Sequence, residues 1–481
     1  MTLPQLAGLE IYPASVVDQD GSVYCLALEK SSGNKVLVVT GKPAGFDGTP
    51  QSSGGALVCP LSAQNAAALR ERLPWLNPAP LGLRTSAGFG DRLGKATPGH
   101  VQAAQGTGVA PIFAQQSVRE NARTGRTPQQ VVDDAMWAVF QMGWRDPWGA
   151  DADHLKLPEV IPPFVDAGYT FFTVDPGEHV DKNADTAPEA VLEAQVNALD
   201  LNLLASSPAD LRQRFEGKSF ELDTLTLTFD RITLLRAAAK YGRAVMHITR
   251  MYRHLKGLMG NKAFDFEVSV DETDSPTSIH EHYYIASELR RLGIVWVSLA
   301  PRFVGKFEKG VDYIGDLAEL DQNLAGHAAV MRCLGPYKIS LHSGSDKFSV
   351  YPMAARHAAG LVHLKTAGTS YLEALRVWAE VDPAAFREIF EFSRQRYETD
   401  RATYHVSAEL AKVPAARDLT DGDLPGLLDQ FDARQVLHVT YGSVLDQFGD
   451  QLHAMLRSHE ARYSATLKRH FARHLESFSG A

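Results

Sequence analysis

Cysteine is scarce. Cys25, Cys59 and Cys333 are the three in 481 residues, and none falls in a CxxC pair or a Cys/His ligand spacing. A disulfide framework and a thiolate zinc cage are thereby excluded, and a reducing cytoplasm fits best. Long apolar runs are also missing. Nothing approaches the ~18 uninterrupted apolar residues of a membrane-spanning helix, and the opening MTLPQLAGLEIYPASVV carries no basic leader, so neither export nor a membrane span is expected. Basic charge is in deficit: 48 Lys and Arg stand against 57 Asp and Glu, for a formal charge of −9, with no Lys/Arg run. Phosphate-backbone binding needs a concentrated basic face, so no nucleic-acid partner is expected. No GxSxG elbow occurs, which weighs against an α/β-hydrolase. The segment GFGDRLGK, Gly88 to Lys95, is spaced GxGxxxG, and Ala96 stands where a phosphate loop needs Ser or Thr. It is read as a flexible βα loop, and no nicotinamide cofactor is expected.

What is present is an ordinary globular composition, 44% hydrophobic and 22% charged, in a chain long enough for a large core. Two β-rich runs, Val23 to Leu28 and Lys35 to Thr40, are joined by SSGN and predict a hairpin, followed by a Gly/Ser loop around Asp47 to Gly55. A helix over Ala63 to Leu73 then meets Pro74, Pro78 and Pro80. This boundary divides the chain into an N-terminal β-rich subdomain, 1–78, and a larger unit, 79–481. In the larger unit strand-like runs alternate with helices. Thr127 to Gly143 shows the helical signals: Thr127 as cap, Pro128 in the first turn, and Gly143 as the left-handed stop. Eight strands are predicted, at Leu81 to Arg84, Ala110 to Ala114, Tyr169 to Asp175, Phe264 to Val270, Ile294 to Ala300, Lys338 to His342, Leu361 to Thr366 and Gln435 to Thr440.

Eight βα alternations over this length predict an α/β fold, a (β/α)8 TIM-type barrel, closed by a C-terminal helical extension. Residue parity agrees. Thr173 with Asp175, Glu267 with Ser269 and Asp271, Lys338 with Ser340 and His342, His363 with Lys365, and His438 with Thr440 each share one strand face, read as facing the barrel interior and mouth. An amphipathic surface sheet would show the same alternation.

Several segments carry polar groups suited to chemistry, each with a plainer reading beside it. GADADHLK places Asp151, Asp153, His154 and Lys156 in a polar run before a helix, as caps or as groups reaching a metal or substrate. Asp175 ends a strand before Pro176-Gly177, with Glu178 and His179 in the loop; it either caps the turn or stands where barrel chemistry sits. Glu267, inside a β-branched run, is costly to bury unless paired or bound to a cation. With His342 it forms a nitrogen and oxygen pair for a divalent Zn, Mn, Ni or Co ion, whereas a core histidine satisfied by hydrogen bonds is the plainer reading. Lys365 is either a substrate anchor or a structural partner for a buried carboxylate. Arg302 suits a carboxylate clamp. HEHYY, His280 to Tyr284, lacks metal spacing and is read as a helix surface.

Taken together, GADADHLK, TFFTVDPGEHVDKN, FEVSVDETDSPT, KISLHSGSDKFSVYP and LVHLKTAGTSYLEALR resemble the tagaturonate epimerase family of hexuronate catabolism over most of the chain. The resemblance implies a divalent-metal-dependent isomerase that interconverts D-tagaturonate and D-fructuronate, epimers at C4; some relatives act on neutral ketohexoses. In a 2-keto sugar acid C4 is β to the carbonyl, so its hydrogen is not acidified. Retro-aldol cleavage and re-addition avoids that step, using a base for the C4 hydroxyl proton and a cation to hold the C2 carbonyl and C3 oxygen. The expectation is a metal on Glu267 and His342, with Asp175 and His154 as further ligands. Asp153, Lys156 and Glu178 are the acid/base candidates, and Lys365, Arg302 and Ser343 the substrate-binding ones. A ketose isomerase, a class II aldolase or a non-catalytic sugar-acid binder would use the same residues differently.

Overall fold

The computed structural model describes residues 7–51, 55–223 and 225–480. Residues 1–6 of the opening segment and 52–54 of the Gly/Ser loop lie outside that set. The N-terminal hairpin forms as predicted, with Ser22–Glu29 antiparallel to Lys35–Thr40 and Val23 opposite Thr40. It is the centre of a six-stranded antiparallel sheet. The helix Ala63–Arg72 follows, its first turn capped by Ser62, which accepts from the Asn65 N–H.

Eight parallel strands close into a barrel in chain order: β1 (Ser86–Gly90), β2 (Ala110–Ser117), β3 (Gly149–Leu155), β4 (Phe171–Val174), β5 (Asp265–Ser269), β6 (Ser298–Ala300), β7 (Lys338–Leu341) and β8 (Val362–Thr366). Each pairs with the next, and β8 pairs with β1. The helix Pro128–Met142 carries the predicted ends. Thr127 and Gln130 form a reciprocal capping box, and Gly143 takes φ 64°, where an added Cβ would meet the Ala14 carbonyl at 2.5 Å.

The polar parity does face inward. Thr173 Oγ1 donates to Asp151 Oδ1 at 3.0 Å, Lys338 Nζ to Ser86 Oγ at 2.8 Å, and Ser86 Oγ meets His363 Nδ1 at 2.8 Å. The other parity packs under helices, as where Phe266 meets Tyr252 of the 29-residue helix Arg231–Met259 edge-on at 5.1 Å.

Four local expectations need correction. Leu81 to Arg84 is not a strand; the strand is the glycine-rich run just after it, read from sequence as a loop. The glycines are there for space, since an added Cβ would meet Gln115 Oε1 at 2.5 Å from Gly88 and the Thr366 carbonyl at 2.7 Å from Gly90. GADADHLK is not a polar run before a helix but strand β3, its aspartates buried. Gln435 to Val439 belongs to the helix Phe431–Val439 and Thr440 is its C-cap, so the β-branched residues here are tertiary packing rather than a strand signal. HEHYY is not a surface, because His282 is fully buried and bonds His327 and Tyr337.

The C-terminal helix Glu460–Leu475 packs against the helix Thr97–Ala104, where Gly99 lets Leu467 come close. Among the described residues no helix is long and apolar enough to cross a membrane.

Burial also sets charge. It pushes His100 down to about 4, and His327, His363 and His474 to about 3. A histidine with a depressed folded-state value costs nothing above about 6.5 and removes stability as the pH falls below that, by up to about 1.4 kcal/mol per pH unit for each ring. The melting temperature is therefore expected to fall increasingly steeply below pH ~6.5. In His100→Phe the slope is expected to be shallower, since Ser370 Oγ, which loses His100 Nε2 at 2.8 Å, still donates to the Gly90 carbonyl. Superimposable melting curves of the two proteins against pH would show that His100 is not held neutral.

Candidate active site

A bulge in β3 builds the centre of the site. Phe172 of β4 pairs with Ala152 but Val174 pairs with Leu155, so β3 holds one residue more over that step. His154 sits in the bulge at φ 54°, a left-handed conformation unusual for a residue with a side chain. Strict alternation would send Asp153 and His154 to opposite faces. The bulge instead leaves both at the C-terminal mouth, with His154 Nδ1 3.0 Å from Asp153 Oδ2.

His342, just past β7, completes the group. Its Nε2 lies 3.1 Å from Asp153 Oδ1 and 3.3 Å from His154 Nδ1, and its Nδ1 lies 3.5 Å from Asp271 Oδ1 and 3.8 Å from Glu267 Oε1. Donor atoms of Asp153, His154 and His342 all lie within 4.8 Å of one another, as do those of His154, Asp175 and Glu272. Glu267 Oε2 is buried and makes no hydrogen bond among the described residues, while His154 Nε2 lies 3.2 Å from Glu272 Oε1, and His342 Nδ1 and Asp175 Oδ2 meet charged neighbours only at 3.5 Å, from Asp271 and Lys156. Buried donor atoms so weakly partnered are costly, and a divalent cation would satisfy them. Charge points the same way. Asp151, Asp153, Asp175, Glu267, Asp271 and Glu272 converge here, while the cations paired with them are Lys156, Lys365 and, 3.7 Å from Glu272, Arg119. The residue set therefore fits a divalent metal.

The electrostatics sort the roles. Burial opposes ionisation of Asp153, yet Lys365, His154 and His342 hold it well below the usual carboxylate range. Burial raises Asp151 despite Lys365. Burial disfavours a charged His154, but Asp153 and Glu272 raise it well above its ordinary value.

The remaining expected residues are spread across the mouth. Lys365, expected as a holder of the substrate carboxylate, is 1% exposed and lies 2.8 Å from each of Asp151, Asp153 and Glu267. An ammonium so enclosed has no face for an incoming anion, so we correct its role to the structural alternative. Asp175 Oδ1 accepts from the Gly177 N–H at 2.8 Å, the turn cap, while Oδ2 lies 3.5 Å from Lys156 Nζ. Glu178, 3.4 Å from Lys156, has a 73% exposed side chain and stays at the rim, outside the cluster. Arg302 and Ser343 line a cavity of about 430 Å3 together with His342, Asp271, Glu272, Arg119 and Lys309.

Sequence reasoning named Asp151 and Asp271 as inward or polar-run residues without placing them in the site, and missed Glu272, Arg119 and Lys309. Asp151 shares the i, i+2 parity of Asp153, and Asp271 and Glu272 follow the C-terminal end of β5, where barrel enzymes place their chemistry. Lys309 lies in a long irregular loop and carries no local signal.

The model of the tagaturonate epimerase family matches residues 12–478. A tagaturonate/fructuronate epimerase from Thermotoga maritima is 43% identical over 480 residues, covering 98% of both chains. Among solved structures, the native fructuronate-tagaturonate epimerase from Cohnella laeviribosi is 36% identical with a TM-score of 0.93, over 98% of this chain and 97% of that one. Its form with one bound glycerol superposes equally well, at 0.93. With the family model, the Thermotoga relative and the Cohnella structure all matching along nearly its whole length, this chain belongs to the tagaturonate epimerase family.

Proposed function

We propose that this protein interconverts D-tagaturonate and D-fructuronate by epimerising C4, with a divalent cation held by Asp153, His154 and His342 and by Glu267 beneath them. The observation that carries this reading is the convergence of Asp153, His154 and His342 on a narrow cleft, with His342 also lining the adjoining 430 Å3 cavity, which is sized for one sugar. A divalent cation supplies, when bound, Lewis-acid polarisation of substrate oxygens.

The residues divide the rest of the work. The C4 hydroxyl proton must leave as the C3–C4 bond breaks, its electron pair passing toward C3 and the C2 carbonyl while C4 becomes an aldehyde. Asp271, which lines the cavity, is the carboxylate we assign to take that proton, while Glu272, held well below the usual carboxylate range by His154 at 3.2 Å, is a poor base. Lys156, between Asp175 and Glu178, is the proton donor in this reading. Asp153, held ionised, serves as a ligand rather than as the acid/base proposed from its position in sequence. Rotation of the aldehyde about C4–C5 presents its other face, and re-addition with return of the proton gives the epimer.

The test is NMR of D-fructuronate incubated with metal-stripped protein, with and without Zn, Mn, Ni or Co. Stripping is expected to abolish the appearance of D-tagaturonate, and one or more of the ions to restore it. Undiminished turnover in the stripped protein would remove the metal from the mechanism. Absence of turnover with every ion would remove the epimerase reading, and accumulation of a triose or an aldose would replace it with an aldolase or an isomerase.

A further inference from the structure

We propose that Lys309 binds the substrate carboxylate and thereby sets the preference for a sugar acid over a neutral ketohexose; this rests on the function proposed above. A uronate brings one negative charge into a cavity already lined by Asp271, Glu272 and Glu308, so it needs a cation that is free to meet it. Lys365 is enclosed by three carboxylates. Arg119 lies near Glu272 and over the Tyr404 ring, 5.4 Å from its centroid. Arg302 donates from Nη1 to the Asp271 carbonyl at 3.2 Å. Lys306 is exposed, its backbone paired with Ile314. Lys309 makes no ion pair within 4.0 Å among the described residues, and its ammonium donates to Ser343 Oγ at 3.1 Å.

Position separates Lys309 from the other lysines. It lines both the 430 Å3 cavity and the narrow cleft beneath, which is walled by Asp153, His154 and His342. A carboxylate held at Lys309 therefore leaves the sugar chain directed at the metal-ligand cluster.

The backbone around Lys309 is fixed on both sides, although it belongs to an irregular loop. Glu308 Oε2 accepts from Ser407 Oγ at 2.7 Å and Gln435 Nε2 at 2.9 Å. Lys347 Nζ donates to the Glu308 and Val311 carbonyls at 2.8 and 2.6 Å, and Arg434 Nε to the Gly310 carbonyl at 2.6 Å. An ammonium held in place before the substrate arrives binds without paying the ordering cost again. Ser343 acts through it as a positioning residue.

The experiment measures KM and kcat on D-fructuronate for the metal-loaded wild type, Lys309→Met, Lys309→Gln and Lys309→Arg, at low and high ionic strength. In the Met and Gln variants KM is expected to rise at least about tenfold, with kcat changing far less, because a lost ion pair to the ground state weakens binding uniformly. The wild-type KM should rise with salt and that of the neutral variants should not. Lys309→Arg, which keeps the charge, should fall between. An unchanged KM in the Met and Gln variants, or an equal salt response in all four proteins, overturns the assignment while leaving the epimerase standing. A wild type that does not convert fructuronate overturns the function itself.

Discussion

Epimerisation is expected to fall on the order of 10^3-fold in His342→Ala, equivalent to about 4 kcal/mol of lost transition-state stabilisation. His342 faces Asp153, His154, Glu267 and Asp271 together, so its removal opens the donor group from the centre. A melting curve separates loss of the donor from loss of fold, since His342 Nε2 also contacts Asp153 and His154. The measurements are turnover at saturating metal, metal stoichiometry after dialysis, and the melting curve. Retention of full metal content with full activity would place the cation elsewhere.

The second large effect concerns stability. Lys365→Met is expected to cost about 3–5 kcal/mol in denaturant unfolding of the metal-free protein, because removing one partner leaves buried charge uncompensated. Asp151, Asp153 and Glu267 would then share the barrel interior with no ammonium between them. Adding Asp151→Asn removes one of the repelling charges, and the double variant is expected to regain part of the loss, as for residues that share a partner. If Lys365→Met is as stable as the wild type, the three carboxylates are not ionised together. If Asp151→Asn restores nothing, Lys365 acts through Asp153 and Glu267 alone.

Three residues show how legible the site was. Glu267, His342 and Lys365 could be picked out because each stands on the polar parity of a run whose other parity is apolar, and a period of two survives in the sequence of a single strand. Which of them face each other could not be read, because Lys365 lies 212 residues from Asp153 and the chain between them encodes no distance. Lys365 illustrates the consequence: both a substrate anchor and a structural partner were consistent with its position, and the three carboxylates around it decide between them.

Local sequence by itself determined the N-terminal hairpin, the capped helix at Pro128–Met142, the alternation that makes a barrel, and the inward face of most of its strands. Propensity, capping and periodicity act over a few residues, and those features need nothing more. Tertiary structure decided the rest. It made a strand of Ser86–Gly90, since glycines that look like a loop are required where Gln115 and Thr366 crowd the barrel. It made a helix of Gln435–Val439, because burial against the barrel outweighs a weak β-propensity. It placed Asp153 and His154 at one mouth through a bulge that only the register with β4 reveals. It also fixed Glu308 and Gly310, the neighbours of Lys309, through bonds from Lys347, Arg434 and Ser407, with Arg434 124 residues from Gly310, contacts that exist only once the barrel has closed.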